Sequence, residues 1–406
     1  MKHFQRFPES IQVRSGAMPT DADRGLPPVF DGFIHRCVIG DGGPTAKVLT
    51  VAVKDTIDIA GLPTRAGSRA LEAAPPADAH AEVVRGVLDA GCRIVGKTAL
   101  HEFAYGMTGV NAWSGTPVNP RFPALIPGGS SSGSAAVVAA GLADFAIGTD
   151  TGGSIRLPAA CCGVFGLKPT FGRVSRRGVM PAESSLDCVG PMAASMDALL
   201  AGMAAMDPTF TPEAPRTGAP ILGTLSVAAE PAILSAVARA VAASGTVARP
   251  VELPSLVAAF NAGLTIINAE TWAACGRYLD TGLVGADVAA RLAKAAETTA
   301  EDLAAAEEVR ARFTAEVDRA LAEVDALALP TLPGFPMALD EALAGRVDLR
   351  ASALVRPFNL SGHPALSIPL PPADGRPVSL QLVGRKGGDA ALCAVGQQIA
   401  ARLAVQ

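Results

Sequence analysis

Two runs of small residues hold hydroxyl groups in glycine-rich backbone: Pro127-Gly128-Gly129-Ser130-Ser131-Ser132-Gly133-Ser134 and Gly148-Thr149-Asp150-Thr151-Gly152-Gly153-Ser154-Ile155-Arg156. Glycine lets backbone N–H groups approach a ligand closely, and serine supplies an oxygen that can attack a carbonyl. Together they suggest acyl transfer with a cradle for the oxyanion. A serine needs a base. Gly129-Ser130-Ser131-Ser132-Gly133 fits the G-x-S-x-G nucleophile elbow with Ser131 at its centre. However, the preceding segment 121–127 carries two prolines where that elbow needs a strand, and the histidine of a Ser-His-Asp triad would have to be His363. A phosphate cradle fits less well, because Gly133 is followed by Ser134-Ala135 and not by the lysine of a Walker A loop.

Lysine can serve as the base once burial lowers its pKa toward neutrality. Lys54 follows an apolar strand-like run, where a lysine is out of place. Two readings stand for it: a base, or a strand-end ion pair with Asp55 or Asp58. The five histidines are scattered without a ligand partner at i+4, and the adjacent Cys161 and Cys162 have neither a Cys-x-x-Cys spacing nor a nearby histidine. No metal and no cofactor is therefore expected.

The elements that must position these groups alternate strand and helix. Residues 46–53 read as a strand ending at Lys54, 81–90 as a helix closed by Gly91, and 93–95 as the next strand, one βαβ-like step. The all-small stretch 134–140 reads as a helix buried on every side, 145–147 as a short strand, and 148–154 as loop. The segment 208–220, rich in proline and threonine, reads as a surface loop or a linker between two halves. Residues 297–324 read as a helix with a solvated face, and 327–330 as a buried strand.

Bulk properties bound the function. With 406 residues, 49% of them hydrophobic and 18% charged, the chain is globular. A net charge of −4, from 34 basic and 38 acidic residues, gives no field to gather nucleic acid or an anionic membrane, so the expected partner is a small molecule. Residues 1–30 lack the apolar core of a secretion signal, and seven cysteines at irregular spacing suit reduced, buried thiols in a cytoplasm.

The segments Gly128-Gly129-Ser130-Ser131, Gly152-Gly153-Ser154-Ile155-Arg156-Leu157-Pro158-Ala159 and Gly163-Val164-Phe165-Gly166-Leu167-Lys168-Pro169-Thr170 resemble the amidase signature family, with Ser130 and Ser154 at the family's spacing of 24. Ala52-Val53-Lys54-Asp55-Thr56-Ile57-Asp58, Asn119-Pro120, the closing segment 357–366 and Gln381-Leu382-Val383-Gly384 extend the likeness to nearly the whole chain, most weakly over 205–325. The resemblance implies a single large α/β domain over 1–406, with a central mixed sheet covered by helices on both faces and a variable helical region at 205–325. It also implies that Ser154 is the nucleophile, Ser130 a bridging serine after a cis peptide bond, and Lys54 the base.

The N–H groups of Thr151, Gly152, Gly153 and Ser154 are expected to form the oxyanion hole. Ser131 either bonds Ser130 or Ser154 or caps the following helix. Arg156 either clamps a substrate carboxylate or pairs with Asp150, and the pair resembles the family's arrangement. Lys168 is read as structural. Phe103, Tyr105, Met107 and Trp113 precede the signature, where the family places residues lining the acyl group, and a core role suits them equally. The expected activity is hydrolysis of a small to medium carboxamide to carboxylate and ammonia or amine. The alternatives are a glutamine-hydrolysing subunit of a tRNA-dependent amidotransferase, disfavoured by the chain's length and charge, a Ser-His-Asp hydrolase, and a binding module without catalysis. The assembly entertained is a homodimer.

Overall fold

Val51 and Val53 point to one face of their strand and Ala52 to the other, and helices cover the sheet on both of those faces. The computed structural model describes residues 29–41, 48–214 and 218–404. Most of the 1–30 segment, and Ala46 and Lys47 of the expected first strand, lie outside them.

The strands are β1 (Val29–Phe30), β2 (Phe33–Ile39), β3 (Thr50–Lys54), β4 (Arg93–Thr98), β5 (Thr116–Pro117), β6 (Phe145–Asp150), β7 (Phe165–Lys168), β8 (Cys188–Ala193), β9 (Ile221–Leu225), β10 (Val247–Val251), β11 (Ala326–Pro330), β12 (Ala365–Ala373) and β13 (Arg376–Val383). The helices are α1 (Glu82–Asp89), α2 (Ser132–Ala139), α3 (Arg156–Cys162), α4 (Met196–Met206), α5 (Pro231–Ala243), α6 (Leu256–Cys275), α7 (Ala286–Ala295), α8 (Ala300–Glu323), α9 (Leu339–Leu343), α10 (Pro357–Leu360) and α11 (Asp389–Leu403).

β1 and β5 form a small parallel pair, and the other strands form one mixed 11-stranded sheet in the order β10-β9-β11-β13-β12-β7-β8-β6-β3-β4-β2. Val51, Val53, Phe145 and Ile147 share a core with Val83 and Val87 of α1, Leu199 and Met203 of α4, Ile233 of α5 and Ile399 of α11. On the opposite face Ala52 and Ala146 pack against the small side chains of α2 and α3, while Leu327 and Leu329 pack under α6 and α8. The expected α/β fold with both faces covered is the observed one.

Local chemistry explains most boundaries. α1 buries Val83, Val84 and Val87, and the chain then turns through Gly91 at φ 77°. α8 starts at a capping box in which Thr299 and Asp302 satisfy each other's backbone N–H groups. It carries a buried stripe of Ala306, Phe313, Val317 and Leu321 beneath its solvated face. Full burial of each large member is worth about 1.5–3 kcal/mol.

One expected boundary moves: residues 148–150 are strand, not loop. Gly148, Thr149 and Asp150 pair with Gly190, Val189 and Cys188, so sheet pairing outweighs their turn-forming chemistry. The 208–220 segment does not separate two sheets, since β9 and β10 join the same sheet as β3 and β6. Residues 215–217 within it lie outside the described part.

Candidate active site

β3 and β6 run parallel, with Val53 opposite Ile147, so Lys54 and the pair Thr149-Asp150 emerge at the same edge of the sheet. Ligand sites in α/β folds form at such carboxyl ends. β8 runs antiparallel to β6 and brings Asp187, just before its first residue, to that edge. Lys54 is wholly buried. Its Nζ lies 2.8 Å from Ser130 Oγ and 2.7 Å from Thr149 Oγ1. Burial pushes its pKa from 10.5 down to about 7, against the opposing pull of Asp187 and Asp150. The strand-end ion pair does not form: Asp55 pairs with Lys97 at 2.6 Å, and Asp58 accepts from the Thr64 hydroxyl.

Ser130 follows a cis Gly129–Ser130 peptide bond, and a Cβ on Gly129 would come within 2.9 Å of Gly106 O and Gly109 N. Only glycine admits that close passage of backbone. Ser131 occupies the N-cap position of α2 without a side-chain cap bond, and its Oγ donates instead to Thr149 O at 3.2 Å. Its N–H donates to Ser154 O at 3.3 Å, which ties the two serine-bearing turns together. Ser130 is 0% exposed and Ser154 8%, so Ser154 is the least enclosed of Lys54, Ser130 and Ser154.

The turn holding Ser154 is built on Asp150. Its carboxylate accepts from the N–H groups of Gly153, Ile155 and Arg156 and from the Arg156 guanidinium at 2.9 and 3.0 Å. Burial alone would raise the Asp150 pKa, but the Arg156 charge and hydrogen bonds from Arg156 and Asn359 hold it far below the usual carboxylate range. Arg156 also donates to Val355 O, Gln381 Oε1 and Asn359 Oδ1. It is fully buried and fully partnered, so the Asp150 pair, and not a substrate clamp, is its role.

One expected oxyanion donor is withdrawn by the same geometry. The Gly153 N–H is committed to Asp150 Oδ1 at 2.7 Å, because that buried carboxylate needs every donor in reach. The N–H groups of Thr151, Gly152 and Ser154 have no acceptor among the described residues.

Other expected residues spread out. Phe103 stacks on Tyr278 with ring centroids 5.2 Å apart, and Tyr105 donates to Asn268 Oδ1 at 2.6 Å. Met107 faces a groove with Leu157 and Leu332, and Trp113 a separate depression with Phe30 and Lys97. A cleft of about 1120 Å³ runs past Arg176, Met180, Ser184, Glu270 and Tyr278, and Ser154 is not part of its lining. It borders the site through Arg176, which holds Asp187 at 3.0 Å.

His363 meets Asp318 and Ser361, each at 2.9 Å, and burial lowers its pKa to about 4. It does not pair with Ser131. Lys168 donates to Pro169 O, as a structural lysine would. Cys161 and Cys162 are buried thiols, and burial pushes Cys162 up to about 12. Among the described residues, no helix is long and apolar enough to cross a membrane.

Sequence reasoning missed Thr149, the second partner of Lys54, and Asp187. Thr149 was hidden by its reading as loop, and Asp187 carries no local signal.

The sequence profile of the Amidase family matches residues 43–215 and 229–393. The chain belongs to the amidase signature family. Membership makes it an amidohydrolase acting on carbon–nitrogen bonds. It is 36% identical to a glutamyl-tRNA(Gln) amidotransferase subunit from Haloarcula marismortui, over 91% of this chain and 99% of that one. A crystal structure of an amidase superposes with a TM-score of 0.78 at 32% identity, covering 87% of this chain and 84% of the other. The corresponding glutamyl-tRNA(Gln) amidotransferase subunit from Thermotoga maritima superposes at 0.75 and 28% identity, covering 91% and 86%.

Proposed function

We propose that the chain hydrolyses a small to medium carboxamide through an acyl-enzyme on Ser154. The observation that carries this reading is the wholly buried Lys54 amine, 2.8 Å from Ser130 Oγ, beside the turn that presents Ser154. With a pKa near 7, Lys54 is substantially neutral at physiological pH and can accept a proton.

Ser130 passes the Ser154 proton to Lys54 while Ser154 Oγ attacks the amide carbonyl. The N–H groups of Thr151, Gly152 and Ser154 receive the oxyanion, each donor worth about 2.7–4 kcal/mol in the transition state. The proton returns along the same path to the leaving nitrogen, and the acyl-enzyme forms as the C–N bond breaks. Water then attacks the ester, with Lys54 and Ser130 again taking and returning a proton.

A fluorophosphonate probe is expected to label one site, with mass spectrometry placing the adduct on the peptide containing Ser154. Labelling of Ser131 with activity that depends on His363 would overturn the reading.

The names of the relatives favour a second reading, as the glutamine-hydrolysing component of a tRNA-dependent amidotransferase. That role implies a protein partner, and the 99% coverage of the Haloarcula marismortui relative removes chain length as an objection. The two readings share the acyl-enzyme and part over the fate of the ammonia. Turnover of a simple amide by the purified chain, without tRNA, ATP or a second protein, supports the stand-alone amidase. Activity that appears only with a second protein supports the amidotransferase. A cytoplasmic setting suits the seven cysteines, which form no disulfide.

A further inference from the structure

Arg356 stands just before α10 and is 6% exposed, yet its Nε and Nη1 are buried without a hydrogen-bond partner. Among the described residues it makes no ion pair. The contrast with Arg156 is direct, since that guanidinium is also buried and has an acceptor on each of its three nitrogens. A buried cation without a counter-charge costs several kcal/mol, and such unpaired groups in folded proteins call for a partner that the chain itself does not supply. Burial pushes the Arg356 pKa down to about 10, so it stays charged at neutral pH.

Its position says where that partner would sit. A Cβ built on Gly152 would lie 3.4 Å from Arg356 Nε and 3.0 Å from Ile267 Cδ1, which places the guanidinium against the turn that carries Gly152 and Ser154. The ring of Phe260 lies 4.4 Å beneath its Cζ, and Gly263 lets its aliphatic stem pass, with a built Cβ 3.0 Å from Cγ. The Val355 carbonyl that precedes it is held by Arg156. A planar, fork-shaped donor supported on one face by an aromatic ring is suited to bidentate recognition of a carboxylate.

We infer that Arg356 binds a carboxylate on the acyl side of the substrate, so that the preferred substrates are monoamides of short dicarboxylic acids, such as malonamate, succinamate or glutaramate. This rests on the proposed Ser154 chemistry for its placement of the amide, and the test separates the two.

Thermal unfolding of the purified chain with succinate or glutarate, against the neutral diamides, is compared between wild type and Arg356→Met, with Arg356→Gln as a second variant should the first fail to fold. The dicarboxylates are expected to raise the wild-type Tm, while Arg356→Met unfolds at or above the wild-type Tm and gains nothing from them. A purely structural arginine would instead leave Arg356→Met destabilised. In kinetics, the kcat/KM preference for a dicarboxylic monoamide over a neutral amide of equal length is expected to fall on the order of 100-fold in the variant, mainly through KM.

Dicarboxylates that fail to stabilise the wild type, or that stabilise Arg356→Met equally, overturn the inference. Ser154-dependent turnover of neutral amides without preference for a carboxylate also overturns it while sparing the hydrolase reading. Dicarboxylate binding that depends on Arg356 with no amide turned over does the reverse.

Discussion

A buried lysine works as a base only in its neutral form, so the acid limb of kcat/KM is expected near pH 7, rising as Lys54 loses its proton. Lys54→Met removes the acceptor and is expected to lose several orders of magnitude in rate, as relays do when one member is deleted. The same residue makes a stability prediction of definite sign. Between about pH 7 and 10.5 the unfolded chain holds a proton on Lys54 that the folded chain has lost, so this residue makes stability rise with pH across that window. Lys54→Met is expected to flatten that rise in urea titrations repeated across the pH range. Thr149→Val keeps the shape but removes a hydroxyl that accepts from the ammonium form, so the acid limb is expected to move to lower pH. An unmoved limb would show that Thr149 does not tune Lys54. Lys54, Ser130 and Ser154 could be singled out as candidates because the glycine-rich serine runs and the lysine after an apolar strand stand out locally and match the family's motifs. Thr149 and Arg356 were not, since their significance depends on partners that the fold supplies or withholds.

At the scale of the elements, the turn between β6 and α3 is held by one buried carboxylate. Asp150→Asn would leave the Arg156 guanidinium buried without its counter-charge and weaken the acceptor for three backbone N–H groups. A loss of about 3–5 kcal/mol is expected, read from denaturant unfolding. Gly153→Ala probes the same turn sterically. Gly153 has φ 117°, and a Cβ there would come within 2.3 Å of Val355 Cγ2, so the variant is expected to displace Ser154 and lose activity even where it folds. Amide hydrolysis at the wild-type rate in Gly153→Ala would show that the chemistry does not depend on this turn to place Ser154. Helix α1 was legible from its apolar run and closing glycine, and α8 from its Ala/Glu-rich charge pattern, whereas the last three residues of β6 were not. Gly148-Thr149-Asp150 favour a turn in isolation, and only pairing with β8, some forty positions away in the chain, makes them strand.

The whole molecule closes the site from segments far apart in sequence. Asp150 and Arg156 are completed by Asn359 and Gln381, and β7 in the first half pairs with β12 in the second, Lys168 opposite Ala365. The strand-helix-strand pattern allowed an α/β chain and the family resemblance implied one, but nothing local shows that residues on either side of the 208–220 segment share one sheet, because strand order is set by long-range pairing. With the sheet shared in this way, the first half is expected not to fold alone. A fragment of residues 1–214 would expose the β7 edge that β12 covers and leave Arg156 without Gln381, Asn359 and the Val355 carbonyl. It would also strip Leu167 of its cross-strand neighbour Leu366 and of the core they share with Leu380. The fragment is therefore expected to lack a cooperative melt in near-ultraviolet circular dichroism and to bind a hydrophobic dye such as ANS. A sharp transition and a dye-silent surface for residues 1–214 would mean that the first half is an independent folding unit, and that the 208–220 segment is a linker between two domains after all.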